Sequence, residues 1–307
     1  MKNILVIINP KSGKGNSKYI YYNIIKPNII YNNISEIITK YPNQLEIIIK
    51  YYDFSNINKI LLVGGDGIIH EYLQGIFNRK DKSYDIPLGI IPTGSGNGIA
   101  TNLDIKDINK AINVFNNETN LVPINIQKIN YNNTSNYSFL YNTWTMISDI
   151  DIETEFLRYF GEYRYYFGIL KFIFKNKYVK GNLKFTDENN IKKEIFGNFS
   201  LFCAGCLPWI SSDFKIIPNA NSNDNFIYII YIIDYHLSLC ERMQLFFHCL
   251  NGNHIEKCDY IKFIKVKEFT LEEIDNINNS YFVCDGENLK TKKINVKNTN
   301  LKINFYK

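Results

Sequence analysis

The sequence predicts two parts, an N-terminal α/β domain with a parallel sheet over residues 1–123 and a C-terminal antiparallel β-sandwich over residues 124–307. Three observations predict it. A chain of 307 residues, at about 150 residues per domain, has room for two cores. Up to Val122 short β-branched runs alternate with longer helical stretches, as in a parallel sheet covered by helices. Beyond Pro123 strand-like segments follow one another with few helices between them, as in an antiparallel sandwich. Hydrophobic residues make up 45% of the chain and charged residues 21%, which excludes wholesale disorder. The charge balance, 35 − 30 = +5, suits anionic ligands or an anionic surface without calling for nucleic acid.

The first strand is read in Ile4 to Ile8, and the run from Met1 to Asn9 is followed at once by Pro10 and Gly13, so it reads as a strand and not as a cleaved signal. Further strands are Ile34 to Thr39, Lys59 to Val63 and Leu88 to Ile91, apolar at nearly every position as when both sheet faces are covered. In the second part, strands are expected at Ile124 to Ile129, Tyr137 to Ser148, Tyr178 to Thr186, Asn198 to Cys206, Phe226 to Asp234, Tyr260 to Thr270 and Tyr281 to Cys284. Two helices interrupt them, Asp151 to Asn176 and His236 to Leu250; the second carries apolar residues at helical spacing that either face a core or line an apolar pocket. The longest apolar run, Phe226 to Ile233, is far short of the roughly 20 residues of a spanning helix. A cytoplasmic protein with reduced thiols is expected from the lack of a secretory signal and six scattered cysteines. Cys203-x-x-Cys206, in a strand and without a partner pair at ligand spacing, does not make a zinc site.

Three strand ends of the first part run into glycine loops: Asn9-Pro10-Lys11-Ser12-Gly13-Lys14-Gly15, Gly64-Gly65-Asp66-Gly67 and Pro92-Thr93-Gly94-Ser95-Gly96-Asn97. Glycine lets backbone N–H groups approach and point at a phosphate, beside the positive end of a following helix. The first loop does not fit the Walker A spacing. Asp66, between glycines at a strand tip, is a candidate to take a proton from an attacking hydroxyl, or else a cap on the helix that begins near Ile68. Glu71 either complements that helix dipole or reaches a ligand. Asp151, Glu155 and Arg158 fall at i, i+4 and i+7 of one helix face, and Gly161 offers a break that would let Arg158 and Arg164 converge on a triphosphate. Asp285-Gly286-Glu287 has the form of a tight hairpin turn.

In order and spacing, Asn9-Pro10-x-x-Gly13-x-Gly15, Gly64-Gly65-Asp66-Gly67-Ile68-Ile69-His70-Glu71 and Pro92-x-Gly94-Ser95-Gly96-Asn97 resemble the catalytic domain shared by diacylglycerol kinases and sphingosine kinases. Trp144 to Gly168, with Asp149-Ile150-Asp151 and Arg158 to Arg164, is similar to the sphingosine kinase version, and Asp285-Gly286-Glu287 completes the set. The resemblance implies a nucleotide-binding domain followed by a lipid-binding domain with the active site in the cleft between, and an ATP-dependent kinase acting on the primary hydroxyl of a sphingoid base, with magnesium accompanying ATP. It implies ATP contacts from Asn9, Pro10, Lys11, Gly13, Thr39, Gly64, Gly65, Gly67, Glu71, Gly94, Ser95, Gly96, Arg158, Arg164, Asp285, Gly286 and Glu287. Asp66 is then the catalytic base beside the lipid hydroxyl, and Asp151 the lipid headgroup ligand; the magnesium ligands are unknown. A bilayer substrate implies peripheral, reversible membrane association. The other readings are a diacylglycerol or other lipid kinase, an inactive nucleotide- and lipid-binding protein, and an NAD kinase.

Overall fold

In the computed structural model residues 3–31, 33–81, 85–118, 120–160, 163–175, 177–274 and 279–307 are described. They form two compact units, residues 1–124 with 302–307, and residues 125–301. The last six residues thus group with the first unit, whereas the sequence reading placed them in the second.

The first unit runs β1 (Asn3–Ile8), α1 (Ser17–Ile20) continuing as a π-helical turn over Tyr21–Ile25, β2 (Asn33–Ile38), α2 (Gln44–Tyr51), β3 (Lys59–Gly64), α3 (Asp66–Phe77), β4 (Leu88–Pro92), α4 (Gly98–Asn102) and α5 (Ile108–Asn117). The four strands pair in parallel in the order β2-β1-β3-β4. Ile4 to Ile8 and Ile60 to Val63 are fully buried, because helices cover both faces of the sheet. The chain passes from β1 outward to β2 and then crosses back to β3 on the other side of β1. That reversal opens a crevice at the carboxyl ends of β1 and β3, where open α/β sheets receive ligands. At the far end Phe305 pairs with Leu88. There the Lys59 ammonium is buried against the Tyr31, Phe115 and Tyr306 rings and donates to the Phe115 carbonyl at 2.6 Å.

The second unit holds most of β5 (Leu121–Tyr131), then β6 (Thr134–Ser138), β7 (Tyr141–Thr145), α6 (Met146–Glu153), a 3-10 segment (Glu155–Phe160), α7 (Tyr163–Phe174), β8 (Val179–Asp187), β9 (Lys192–Gly205), β10 (Ile227–Ile233), α8 (Leu239–Asn251), α9 (His254–Lys257), β11 (Lys262–Glu273), β12 (Val283–Cys284), β13 (Glu287–Asn288) and β14 (Lys293–Tyr306). The strand pairs formed within residues 125–301 are antiparallel, while the end of β14, from Lys302 on, belongs to the first unit and pairs in parallel with β4. The long strands β9 and β11 change partners along their length: Lys192 to Phe199 of β9 pair with β8, and Phe199 to Gly205 with β10. Trp144 anchors one core, stacked on Phe282 at 5.5 Å and donating from Nε1 to Glu273 at 3.2 Å.

Three sequence expectations change here. Tyr137 to Ser148 is not one strand: β6 and β7 are separated by a turn, and Thr145, at φ 68°, ends β7 and starts α6. Asp151 to Asn176 is not one helix but α6, the 3-10 segment and α7; Gly161 lies outside the described residues. On α8 only Leu245 and Cys249 are buried, with Met243 and Phe247 exposed, so the helix packs through a narrow stripe. All six cysteines are free thiols, and the Cys206 thiol donates to the Asn125 and Phe139 carbonyls inside the core.

Candidate active site

The three glycine loops lie together at the carboxyl ends of β1, β3 and β4, and the glycines hold them there by letting backbones touch. A Cβ on Gly13 would run into the Thr93 carbonyl, one on Gly94 into Gly65 Cα, and one on Gly65 would sit 2.8 Å from Gly94 Cα. Gly13 also has φ +55°. Two polar devices that the sequence did not disclose complete the assembly. The Ser17 and Thr93 hydroxyls meet at 2.8 Å, joining the first loop to the third. Asn97 folds back on Gly94, accepting from its N–H at 2.9 Å and donating to its carbonyl at 2.8 Å. Asn9 closes the first loop by accepting the Lys11 N–H at 3.0 Å, and the Thr39 N–H donates to the Ile8 carbonyl at 3.0 Å. Lys11 and Gly67 are exposed, while Pro10, Ser95 and Gly96 are partly covered.

Gly67 differs from its neighbours, since a Cβ there meets nothing within 4 Å. We expect Gly94→Ala to destabilise the protein by about 1–3 kcal/mol through overpacking. Gly67→Ala should leave the melting temperature unchanged or higher, yet lower turnover by up to about 10²-fold by misplacing a ligand at the loop tip. Thermal melts beside a kinase assay check both.

Asp66 caps a helix, but a different one from that expected. Its two carboxylate oxygens accept the N–H groups of Gly98 at 2.9 Å and Ile99 at 3.1 Å, at the start of α4 and 32 or more residues on in sequence. The second loop is thereby tied to the third, and the carboxylate is fixed at the loop cluster. Glu71 likewise reaches out of its own helix to accept the Leu45 N–H at 3.0 Å in the first turn of α2, which gives it a structural task. His70 is buried with Gln74 Nε2 3.3 Å from its ring Nε2.

In the second unit two carboxylates converge on one guanidinium. Arg164 donates to Asp151 at 3.1 Å, to Glu155 at 2.5 Å and to the Tyr165 hydroxyl at 2.7 Å. Asp151 and Glu155 are therefore joined through Arg164 and do not share one helix face, since α6 ends at Glu153. Arg158 lies on the 3-10 segment. Asp151 is only 7% exposed, and its other oxygen accepts the Tyr141 hydroxyl at 3.3 Å. Burial pushes its carboxyl up to about 6 against the lowering effect of Arg164, with Glu155 and Glu287 adding repulsion. Burial works against the Arg164 charge, but Tyr165, Asp151 and Glu155 outweigh it and push its pKa up.

The linkage sign follows from the raised Asp151 value. Its contribution to stability is full below the unfolded value near 3.8 and is lost as pH rises through about 6, so the ionised form is held at a cost. If the ionised form binds a cationic headgroup, kcat/KM for that substrate falls as pH drops below about 6. Rates measured from pH 5 to 8 should show this acid limb, and Asp151→Asn should lack it.

The turn Asp285-Gly286 has both residues at positive φ, 48° and 93°, and joins β12 to β13 as a tight hairpin. The Asp285 carboxylate points inward: it accepts from Ser138 Oγ at 2.8 Å and from the N–H groups of Phe139, Leu140 and Tyr141 at 3.0–3.2 Å. It clamps the β6–β7 turn, a role the resemblance did not suggest. Gly286 faces Asp151, with a Cβ there 3.8 Å from Asp151 Oδ2, and Glu287 is exposed. Nearby, Asp149 takes a hydrogen bond from Ser280 at 2.5 Å and an ion pair from Lys177 at 2.6 Å.

A doubly wound sheet with three interlocked glycine loops, followed by a large antiparallel region, defines a class of proteins with known members. Residues 3–129 match the diacylglycerol kinase catalytic domain. The chain is 25% identical to sphingoid long chain base kinase 4 of Schizosaccharomyces pombe, over 93% of this chain and 70% of that protein. It is 26% identical to sphingosine kinase 1 of Arabidopsis thaliana, over 88% of this chain and 64% of that one. It therefore spans about two thirds of the length of these relatives. A crystal structure of a putative diacylglycerol kinase from Bacillus anthracis str. Sterne shares the fold, with a TM-score of 0.76 at 18% identity, covering 100% of this chain and 95% of that one. Residues 3–129 are thus similar to the diacylglycerol kinase catalytic domain, and the chain over most of its length is similar to sphingosine kinases.

Proposed function

We propose that the protein is an ATP-dependent lipid kinase that phosphorylates the primary hydroxyl of a sphingoid base. The observation that carries the lipid choice is the Asp151 cluster, where two carboxylates meet a single guanidinium and a buried carboxylate is incompletely compensated. A sphingoid base brings an ammonium to such a site; diacylglycerol brings ester oxygens and a hydroxyl but no positive charge, and so adds no counter-ion to the buried carboxylate. The support for the phosphate half is the loop cluster, with Asn9, Pro10, Lys11, Gly13, Thr39, Gly64, Gly65, Gly67, Gly94, Ser95 and Gly96 around the nucleotide.

In the reaction the lipid hydroxyl passes its proton to Asp66, its oxygen bonds to the γ-phosphorus, the bond to the β-phosphate oxygen breaks and ADP departs. Charge relief in flight is assigned to Arg158 and Arg164. Magnesium, which neutralises phosphate charge in such transfers, would enter with the nucleotide. Asp285 and Gly286 act by holding the hairpin that bears Glu287.

We read the antiparallel region as a lipid-binding sandwich that visits membranes peripherally. On α7, Tyr163, Tyr166, Phe167, Leu170 and Phe174 form an exposed stripe at helical spacing, and Phe156 just before it is 81% exposed. No helix among the described residues is long and apolar enough to cross a membrane. Phe167→Glu with Leu170→Glu should abolish flotation with liposomes while sparing nucleotide binding; undiminished flotation would refute the stripe as the docking surface.

Incubating the protein with radiolabelled ATP and sphingosine, diacylglycerol or NAD, and separating products by thin-layer chromatography, tests the reading. Label in sphingosine 1-phosphate is expected. Label confined to another acceptor, or none, would overturn it.

A further inference from the structure

Thr145 holds a backbone conformation that its side chain opposes. At φ 68° and ψ −128° it adopts the geometry of the first central residue of a type II′ turn, a place that suits glycine and that a β-branched residue rarely takes. Such a conformation persists only where the surroundings over-determine it. Thr145 is the hinge between β7 and α6, the helix that carries Asp149 and Asp151. Its own hydroxyl does not cap that helix but turns back to the Trp144 carbonyl.

The bond that holds the hinge from outside comes from Ser280, 135 residues on in sequence. Ser280 Oγ accepts the Thr145 N–H at 3.0 Å and donates to Asp149 at 2.5 Å, so one hydroxyl spans the first turn of α6. Thr145 is buried, and a buried N–H needs such a partner. Ser280 is anchored in turn: its N–H donates to Glu273 at 3.1 Å, and the same buried carboxylate oxygen takes the Trp144 indole N–H at 3.2 Å. Further along, α6 is seated by Gly168, where a Cβ would meet Ile150 at 2.7 Å. Between these two fixtures lies Asp151, with its oxygens on Arg164 and Tyr141.

Resting on the reading above that Asp151 receives a sphingoid ammonium, we propose that Ser280 is a positioning residue for the lipid headgroup: by pinning the Thr145 hinge it sets the direction in which α6 presents Asp151. Without that bond Thr145 relaxes to negative φ, the first turn of α6 rotates, and the Asp151 carboxylate leaves its place beside Tyr141 and Arg164. Every residue in this chain of bonds belongs to the second unit, so the effect falls on lipid use and not on the nucleotide.

The test is steady-state kinetics of the full-length protein on sphingosine in mixed micelles, beside thermal melts, for Ser280→Ala, Thr145→Gly and the two together. Ser280→Ala should raise the KM for sphingosine by about 10-fold, because small misplacements of a binding group are costly, and leave the KM for ATP unchanged. Glycine adopts the Thr145 conformation without strain, so Thr145→Gly alone should keep the wild-type sphingosine KM, and in the Ser280→Ala background it should restore that value. The rescue is the readout that separates the two roles, since a merely structural Ser280 would lower the melting temperature, spare the lipid KM and gain nothing from Thr145→Gly. Should Ser280→Ala fail to melt cooperatively, the double variant decides: a wild-type lipid KM supports the pin and a raised one refutes it. An unchanged sphingosine KM in Ser280→Ala, or a raised one that Thr145→Gly does not restore, would overturn the positioning role and leave the proposed function standing. Failure of the wild-type protein to phosphorylate sphingosine would remove both.

Discussion

Replacing Asp66 with Asn is expected to lower turnover by about 10²–10⁴-fold while nucleotide affinity stays close to that of the wild type. The size follows from loss of the proton acceptor. The small binding effect follows from shape, because Asn keeps an oxygen to accept one of the two amides, Gly98 or Ile99, that the carboxylate now holds. Losing the other bond costs about 1 kcal/mol, as for a helix cap, so the variant should still fold. Steady-state rates and nucleotide titration together check this. Turnover near the wild-type value would show that Asp66 is there to tie the second loop to α4 and nothing more.

The second large effect is on lipid use. Asp151→Asn should lower kcat/KM for a sphingoid base by about 10- to 10²-fold, the worth of a hydrogen bond to a charged group, without weakening nucleotide affinity. The ionised carboxylate is held at a cost in the folded protein, so a neutral isostere at this position is compatible with folding near neutral pH. A variant that loses nucleotide and lipid together would instead mean that the cluster with Arg164 and Glu155 supports the unit as a whole.

Which parts of this were legible in the sequence depended on the range of the interaction. Strands β1, β3 and β4 are legible because both their faces are buried and nearly every position is apolar. Strand β14 was missed: in Lys293–Tyr306 apolar residues are interleaved with Lys and Asn, so no apolar run marks it. The Tyr137 to Ser148 run was read as one strand because β propensity does not register the Asp285 carboxylate, well over a hundred residues later, that holds its turn. The glycine loops were recognised as a set, and their spacing carried the phosphate reading. Their mutual contacts, Gly13 on Thr93 and Gly65 on Gly94, were not visible, since a sequence pattern cannot distinguish a glycine that admits a ligand from one that admits another loop. The same limit applies to Asp66, whose helix partner is far along the chain, and to Arg164, where the sequence offers a break at Gly161 but not the pairing with Asp151.

The central claim is that this kinase fold serves a cationic lipid, and the most direct measurement of it is side-by-side kinetics on sphingosine and diacylglycerol in the same mixed micelles with the same ATP. The account predicts a kcat/KM for sphingosine at least about 10-fold above that for diacylglycerol, with the difference collapsing in Asp151→Asn. Equal efficiency on the two lipids in the wild-type protein would contradict it.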